Sequence, residues 1–358
     1  MLNRMQRIGF IFTIFIFFGV DLIFIPTDAA AGDEQPELVF YNWTAYVGTG
    51  IIEAFEKSRN CKVRQAFYQS SDERDEKIMR NGGKGYDIIV VDGNDVSPYV
   101  RRGWIVPMGI GKVPNLVQMD EKWIKAWPDT ETYAVPYLWG TLGIIYRSDL
   151  IDEEIVSWKQ FYQPKEAWRG KIMLVDIHRI GIGMALKALG HSLNSEDPKA
   201  IDAAIALLKK QKPYVQIYGY LKTDADSGIV SGETWMGQTW SGDALLLQKR
   251  NPAIRYVIPE EGGQISPDYM VVSAHAKHPA LAYDFVNYLS EASNSARAAR
   301  ELAFGCPNAQ GRKLLPKDMI ENKVIYPSRK AMKNSEFTKE IPPRMKKKMV
   351  EAWSQLKN

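Results

Sequence analysis

The sequence predicts an α/β protein built as two lobes, and three observations carry that expectation. A chain of 358 residues is longer than one hydrophobic core usually serves. Its 45% hydrophobic and 25% charged residues are a globular composition, which excludes collagen-like, coiled-coil and wholly disordered chains. Short apolar runs alternate along it with amphipathic stretches, the pattern of layered strands and helices.

Taken in order, Leu38 to Tyr41, Asp87 to Val91, Lys171 to Val175 and Met270 to Val272 read as buried strands. Asp197-Pro198 starts a helix, with a capping side chain followed by proline at the first helical position. Ile201, Ile205 and Leu208 then recur on one face. Pro279 opens another helix carrying Leu281, Phe285 and Leu289. Lys346, Lys347 and Lys348 read as a solvated helix face. No repeat or low-complexity linker interrupts the chain, so the lobes are expected to be joined by crossing strands.

Residues 1–31 stand apart from this pattern. Arg4 and Arg7 precede the uncharged apolar run from Ile8 to Val20, which Asp21 ends, and Ala29 to Ala31 offer small residues for cleavage. These are the parts of a secretory signal peptide, and the run is shorter than the ~20 residues a bilayer core requires. A mature protein starting near Gly32 is expected. Cys61 and Cys306 both lie away from the cleavage region, so no lipid-anchoring cysteine is expected. Whether they pair in an oxidising compartment stays open, because pairing depends on geometry.

Forty-six basic and 42 acidic residues leave a net charge of +4, dispersed along the chain and not gathered into the basic face that nucleic acid needs. No nucleic-acid partner is expected. Enzyme chemistry has little to stand on. His275 and His278 lack an acidic or cysteine cluster beside them, so no metal is expected. Gly181-Ile182-Gly183 lacks the third glycine of a dinucleotide fingerprint, and neither a phosphate loop nor a Gly-x-Ser-x-Gly elbow occurs, so no cofactor is expected. His178 and His191 have no nucleophile or carboxylate partner in their local sequence and read as surface or lobe-packing histidines. The weight falls on binding, with no catalytic residues.

Aromatics and carboxylates recur where strands end. Trp43 and Tyr46 follow the first strand and precede the helical face of Ile51, Ile52 and Phe55, which places them in a βα loop, where open α/β sheets bind ligands. A helix start by itself favours an anion, two rings favour a cation or an apolar ligand, and packing into the lobe is an equal alternative. Trp240-Ser241-Gly242-Asp243 repeats the theme with a strand end, a turn and a carboxylate. Asp268 follows the turn Glu261-Gly262-Gly263 and precedes the Met270 strand. Asp at a turn is commonly turn chemistry alone. Its recurrence beside aromatics points to a cleft suited to an ammonium group.

At these residues the chain resembles a known family. Phe40-Tyr41-Asn42-Trp43-Thr44-Ala45-Tyr46-Val47, Gly85-Tyr86-Asp87-Ile88-Ile89-Val90, Pro136-Tyr137-Leu138-Trp139-Gly140, Pro259-Glu260-Glu261-Gly262-Gly263, and Pro307-Asn308 with Arg312-Lys313-Leu314-Leu315 occur in order. Together they resemble the periplasmic spermidine/putrescine-binding proteins of polyamine ABC transporters, over nearly all of the mature chain. The resemblance implies a two-lobed solute-binding fold with hinge strands and a ligand cleft between the lobes. It implies a discontinuous first lobe of 32–135 and 264–308, and a second of 136–263 and 309–358.

It also implies a ligand site. Trp43, Tyr46 and Trp240 match family ligand aromatics, and Asp243 and Asp268 match amine-binding aspartates. Phe304 replaces a tyrosine of the family. Other positions depart further: Val91-Asp92-Gly93-Asn94 replaces a Pro-Ser-x-Tyr segment and adds Asp92 as a further candidate contact, Ile177 and Ile180 stand where spermidine binders carry acids, and Ser266 stands where an aromatic lies. The function implied is periplasmic capture of a polyamine by lobe closure, by a monomer that delivers it to an inner-membrane ABC permease. The alternative output is signalling to a membrane sensor protein.

Overall fold

The computed structural model describes residues 35–358; the export segment read at 1–31 lies outside the described residues. Among the described residues ten strands form the framework: β1 (Glu37–Trp43), β2 (Lys62–Tyr68), β3 (Ile88–Asp92), β4 (Val135–Arg147), β5 (Ile172–Val175), β6 (Val215–Gly219), β7 (Met236–Trp240), β8 (Ile254–Val257), β9 (Gln264–Val272) and β10 (Glu336–Phe337). They hydrogen-bond in the order β2-β1-β3-β9-β4-β7-β5-β6, with β8 added on β4 and β10 on β9. The β1–β2, β1–β3, β5–β6 and β5–β7 pairs are parallel. Parallel pairs need helical crossovers, which the amphipathic stretches supply.

Two strands connect the lobes. β4 is buried along all 13 of its residues. Its first half pairs with β9 and its second with β7 and β8. β9 pairs with β4 over Gln264 to Met270 and with β3 over Asp268 to Val272. Both therefore run from one half of the sheet into the other, as crossing strands do.

Apolar residues collect on either side of this crossing. One cluster joins Leu38, Phe40, Phe55, Ile88 and Phe285, and Leu315, Met319 and Ile325 pack into it. Another joins Ile144, Trp158, Leu174, Ile201 and Leu208 and takes Met349 and Trp353 from the helix Pro343–Lys357. The helix Pro198–Gln211 begins as its sequence predicts, with the Asp197 side chain accepting from the Lys199 N–H. The Lys346 to Lys348 run falls in the helix Pro343–Lys357. Among the described residues no helix is long and apolar enough to cross a membrane.

Two local expectations are corrected. Asp268 is not a turn residue: it lies inside β9, opposite Leu138 of β4 and Asp92 of β3. Asp243 does not sit in a turn after β7 but in the first turn of the helix Ser241–Arg250, which starts directly on the strand end.

Candidate functional site

β1 ends at Trp43, and the chain turns through Ala45 in the left-handed region at φ 54°. Asn42 holds this turn, accepting from the Trp43 N–H at 2.8 Å and donating from Nδ2 to the Tyr46 carbonyl at 3.2 Å. The Tyr137 hydroxyl donates to the same carbonyl at 2.8 Å. The Tyr46 ring is packed edge-on against Tyr137 and Phe304, with centroids 5.6 and 5.5 Å away. So fixed, the Tyr46 hydroxyl donates to Asp268 Oδ2 at 2.8 Å.

β7 ends at Trp240, whose ring stacks on Tyr220 at 6.0 Å and 11°. Asp243 follows in the first helical turn. Between them Gly242 lets Phe304 approach the helix start, since a Cβ there would lie 2.4 Å from its ring. Phe304 thereby touches residues delivered by both β1 and β7.

All seven residues expected from the sequence, Trp43, Tyr46, Asp92, Trp240, Asp243, Asp268 and Phe304, line one cavity of about 590 Å³. A volume in this range suits a small organic ligand. Ile177, Ile180 and Ser266, the positions of departure, line it too. Three residues with no local sequence signal also border it: Tyr68, Tyr220 and His178. His178 is buried, and its Nδ1 lies 3.1 Å from Asp72 Oδ2, a carboxylate supplied from far along the chain.

The cavity carboxylates are not equivalent. Burial pushes Asp243 up to about 7, and no described donor hydrogen-bonds its carboxylate. Burial likewise raises Asp268 to about 7, reinforced by Asp92 and opposed by the Tyr46 hydroxyl. No described lysine or arginine forms an ion pair with either one. Asp92, by contrast, accepts from the Ser71 hydroxyl at 2.6 Å and from Arg74 at 3.2 Å. Arg74 is fully buried and also pairs with Asp75, at 2.9 Å, and with Asp95. Its guanidinium lies over the Tyr68 ring at 5.5 Å, and Tyr68 in turn tilts against Trp43 at 4.4 Å. The carboxylate added at Asp92 thus arrives together with a cation that occupies it.

Residues 50–326 match the model of the bacterial extracellular solute-binding protein family. The chain belongs to that family. This solute-binding protein is 30% identical to the spermidine/putrescine-binding periplasmic protein of Escherichia coli K12, over 87% of its own length and 89% of the relative's. It is 25% identical to the putrescine/cadaverine-binding protein of Pseudomonas aeruginosa, covering 92% and 96% of the two chains. The structure of the spermidine/putrescine ABC transporter substrate-binding protein of Streptococcus pneumoniae superposes on it with a TM-score of 0.76, at 26% identity, covering 90% of this chain and 99% of that one. The solute-binding protein therefore has the two-lobed α/β fold that its sequence predicts, with β4 and β9 crossing between lobes.

Proposed function

We propose that this chain captures a polyamine in the cavity between its lobes and delivers it to an ABC permease. The observation that carries the reading is the pair Asp243 and Asp268, two raised carboxyls with no described cation, set among Trp43, Tyr46, Trp240 and Phe304. A buried carboxylate without a counter-charge is unfavourable, and an ammonium group relieves it while donating charge-assisted hydrogen bonds worth about 1.5–3 kcal/mol each. The rings cover the methylenes and present π faces to the cation, each desolvated cation–π contact contributing about 2 kcal/mol. Ligand-driven closure follows by population shift, since only the closed form lets both lobes touch the ligand. The names of the relatives, which bind spermidine, putrescine and cadaverine, support the same ligand class.

In this reading the first lobe comprises 32–135 and a second stretch from 264, and the second lobe comprises 136–263 and the C-terminal helix; the last bound, expected at 308, is moved beyond Ile325 because Leu315, Met319 and Ile325 pack into the first cluster. Residues 1–31 direct export to the periplasm and are cleaved, and the mature chain works as a monomer.

Titration calorimetry with putrescine and spermidine, beside a sugar and a dicarboxylate as controls, tests the ligand class. Heat of binding for the amines alone supports the reading. Binding of a control and of neither amine overturns it.

A further inference from the structure

Two buried side-chain atoms bordering the cavity have no hydrogen-bond partner among the described residues, Gln264 Oε1 and His178 Nε2. Gln264 opens β9. With Ser266 and Asp268 it takes alternate positions along the strand, and these three line the cavity while the intervening Ile265 and Pro267 do not. The sheet register places Gln264 opposite Leu142 of β4, which is itself opposite Trp240 of β7. Gln264 therefore stands at the level of Trp240, at the second-lobe end of the cavity floor. Asp268, on the hydroxyl of Tyr46, marks the first-lobe end.

Four residues of strand span ~13 Å, whereas an N–H···O bond spans about 2.9 Å, so one ammonium cannot serve both Gln264 and Asp268. Both of these orphaned atoms are acceptors. Gln264 offers a carbonyl oxygen. His178, in the tautomer that donates its Nδ1–H to Asp72, offers a lone pair on Nε2. Arg179, a guanidinium that lines the cavity, is already committed to Asn194 Oδ1 and the Lys339 carbonyl. What these two atoms lack is a donor, and Ile177 and Ile180, which line the same cavity, suit methylenes.

We infer that Gln264 is a ligand-contacting residue that accepts from a second amino group of the bound molecule, well beyond the ammonium held at Asp268, so that it sets the length of polyamine the cavity prefers. The inference rests on the polyamine reading and adds to it a length requirement and a residue.

Calorimetry on the full mature chain and on two variants, Gln264→Leu and Gln264→Glu, with putrescine as the short probe and spermidine as the long one, decides the matter. Gln264→Leu keeps the side-chain volume and removes the acceptor, so spermidine affinity should fall about tenfold while putrescine affinity stays within twofold. Gln264→Glu adds charge at the same place and should tighten spermidine binding. If the leucine variant does not fold, the glutamate variant carries the test. Unchanged spermidine binding in the folded variants, or equal loss for both amines, overturns the role of Gln264 and leaves the polyamine reading standing. A wild-type chain that binds neither amine overturns both.

Discussion

Asp92 and Asp268 stand directly opposite each other across the β3–β9 ladder, and only one of them is already held by a cation. Asp92 is tied to Arg74 and Ser71, whereas Asp268 accepts from the Tyr46 hydroxyl and forms no ion pair with a described cation. Directly opposed like charges are destabilising in a sheet, so the guanidinium under Asp92 permits Asp268 to face the cavity. Two substitutions separate their roles. Asp268→Asn should cost about 2–5 kcal/mol of amine affinity, the range for removing one partner of a buried charge pair. Asp92→Asn should change it less than about threefold, because Arg74 already neutralises that carboxylate. Calorimetry on both proteins checks this; equal losses would mean that Asp92 also reaches the ligand.

Arg74 itself holds three carboxylates while being fully buried. Burial and the neighbouring Asp75 push the Asp95 carboxyl up, so the cluster tolerates its acids only while the guanidinium is present. Replacing Arg74 by Met keeps length and removes charge. It should cost about 3–5 kcal/mol of stability, as breaking a buried pair from one side does. Urea unfolding at neutral pH measures it, and a loss below about 1 kcal/mol would show that water reaches the acids instead.

The raised carboxyls of Asp243 and Asp268 make binding depend on pH. Both titrate near 7, while alkylamines stay protonated well above that. Amine affinity should therefore rise with pH up to about 7 and level off above it. Below that point each carboxylate that must ionise costs about tenfold per pH unit. The unliganded protein should behave oppositely. A carboxyl whose folded value is raised above its unfolded one contributes stability that is fully present below about pH 4 and lost as pH climbs through about 7. Calorimetry and melting curves on the same samples test both signs.

The general fold and the principal site residues were legible because they rest on local signals. Apolar runs marked β1, β3, β5 and the end of β9, and rings at strand ends marked Trp43, Tyr46 and Trp240. Asp268 reads as a turn residue because it follows the Glu261-Gly262-Gly263 turn so closely. Pro267 is tolerated inside β9 since β10 pairs only as far as Ile265 and β3 begins at Asp268, leaving a gap on that side for its missing N–H. The Arg74 cluster and the Asp72–His178 contact left no trace of that kind. Their members come from separate helices and a strand end, and only the fold brings them together. Gln264 carried a faint signal, since it lies two alternations before Asp268 on what proves to be one strand.

Cys61 and Cys306 are both buried and free, which answers the question of pairing that spacing left open. Burial raises both thiols, with Glu56 adding to the effect at Cys61 and Ser295 opposing it at Cys306. A raised, inaccessible thiol is a poor nucleophile. A thiol-specific chromogenic reagent should label less than one thiol per native chain within minutes and both after denaturation, and dithiothreitol should leave Tm unchanged. A reductant-sensitive Tm would reveal a bond between them.

Asp243 offers the sharpest separation of binding from folding. Its carboxylate lies in the first turn of the helix Ser241–Arg250, where the helix dipole favours a negative charge. Burial nevertheless dominates and raises it to about 7, and no described donor offsets the loss of water. The charge is thus held at a cost that only a ligand cation relieves. Asp243→Asn is nearly isosteric and removes that charge. Without ligand, at about pH 8, the variant should melt higher than the wild type, because a buried neutral amide pays a smaller desolvation cost than a buried ionised carboxylate. With ligand the order should reverse, because the amine loses about 2–5 kcal/mol of affinity. Melting curves with and without saturating putrescine make the comparison on one pair of proteins. A variant that melts lower in both states would place Asp243 in the support of the helix start and leave the ammonium to Asp268.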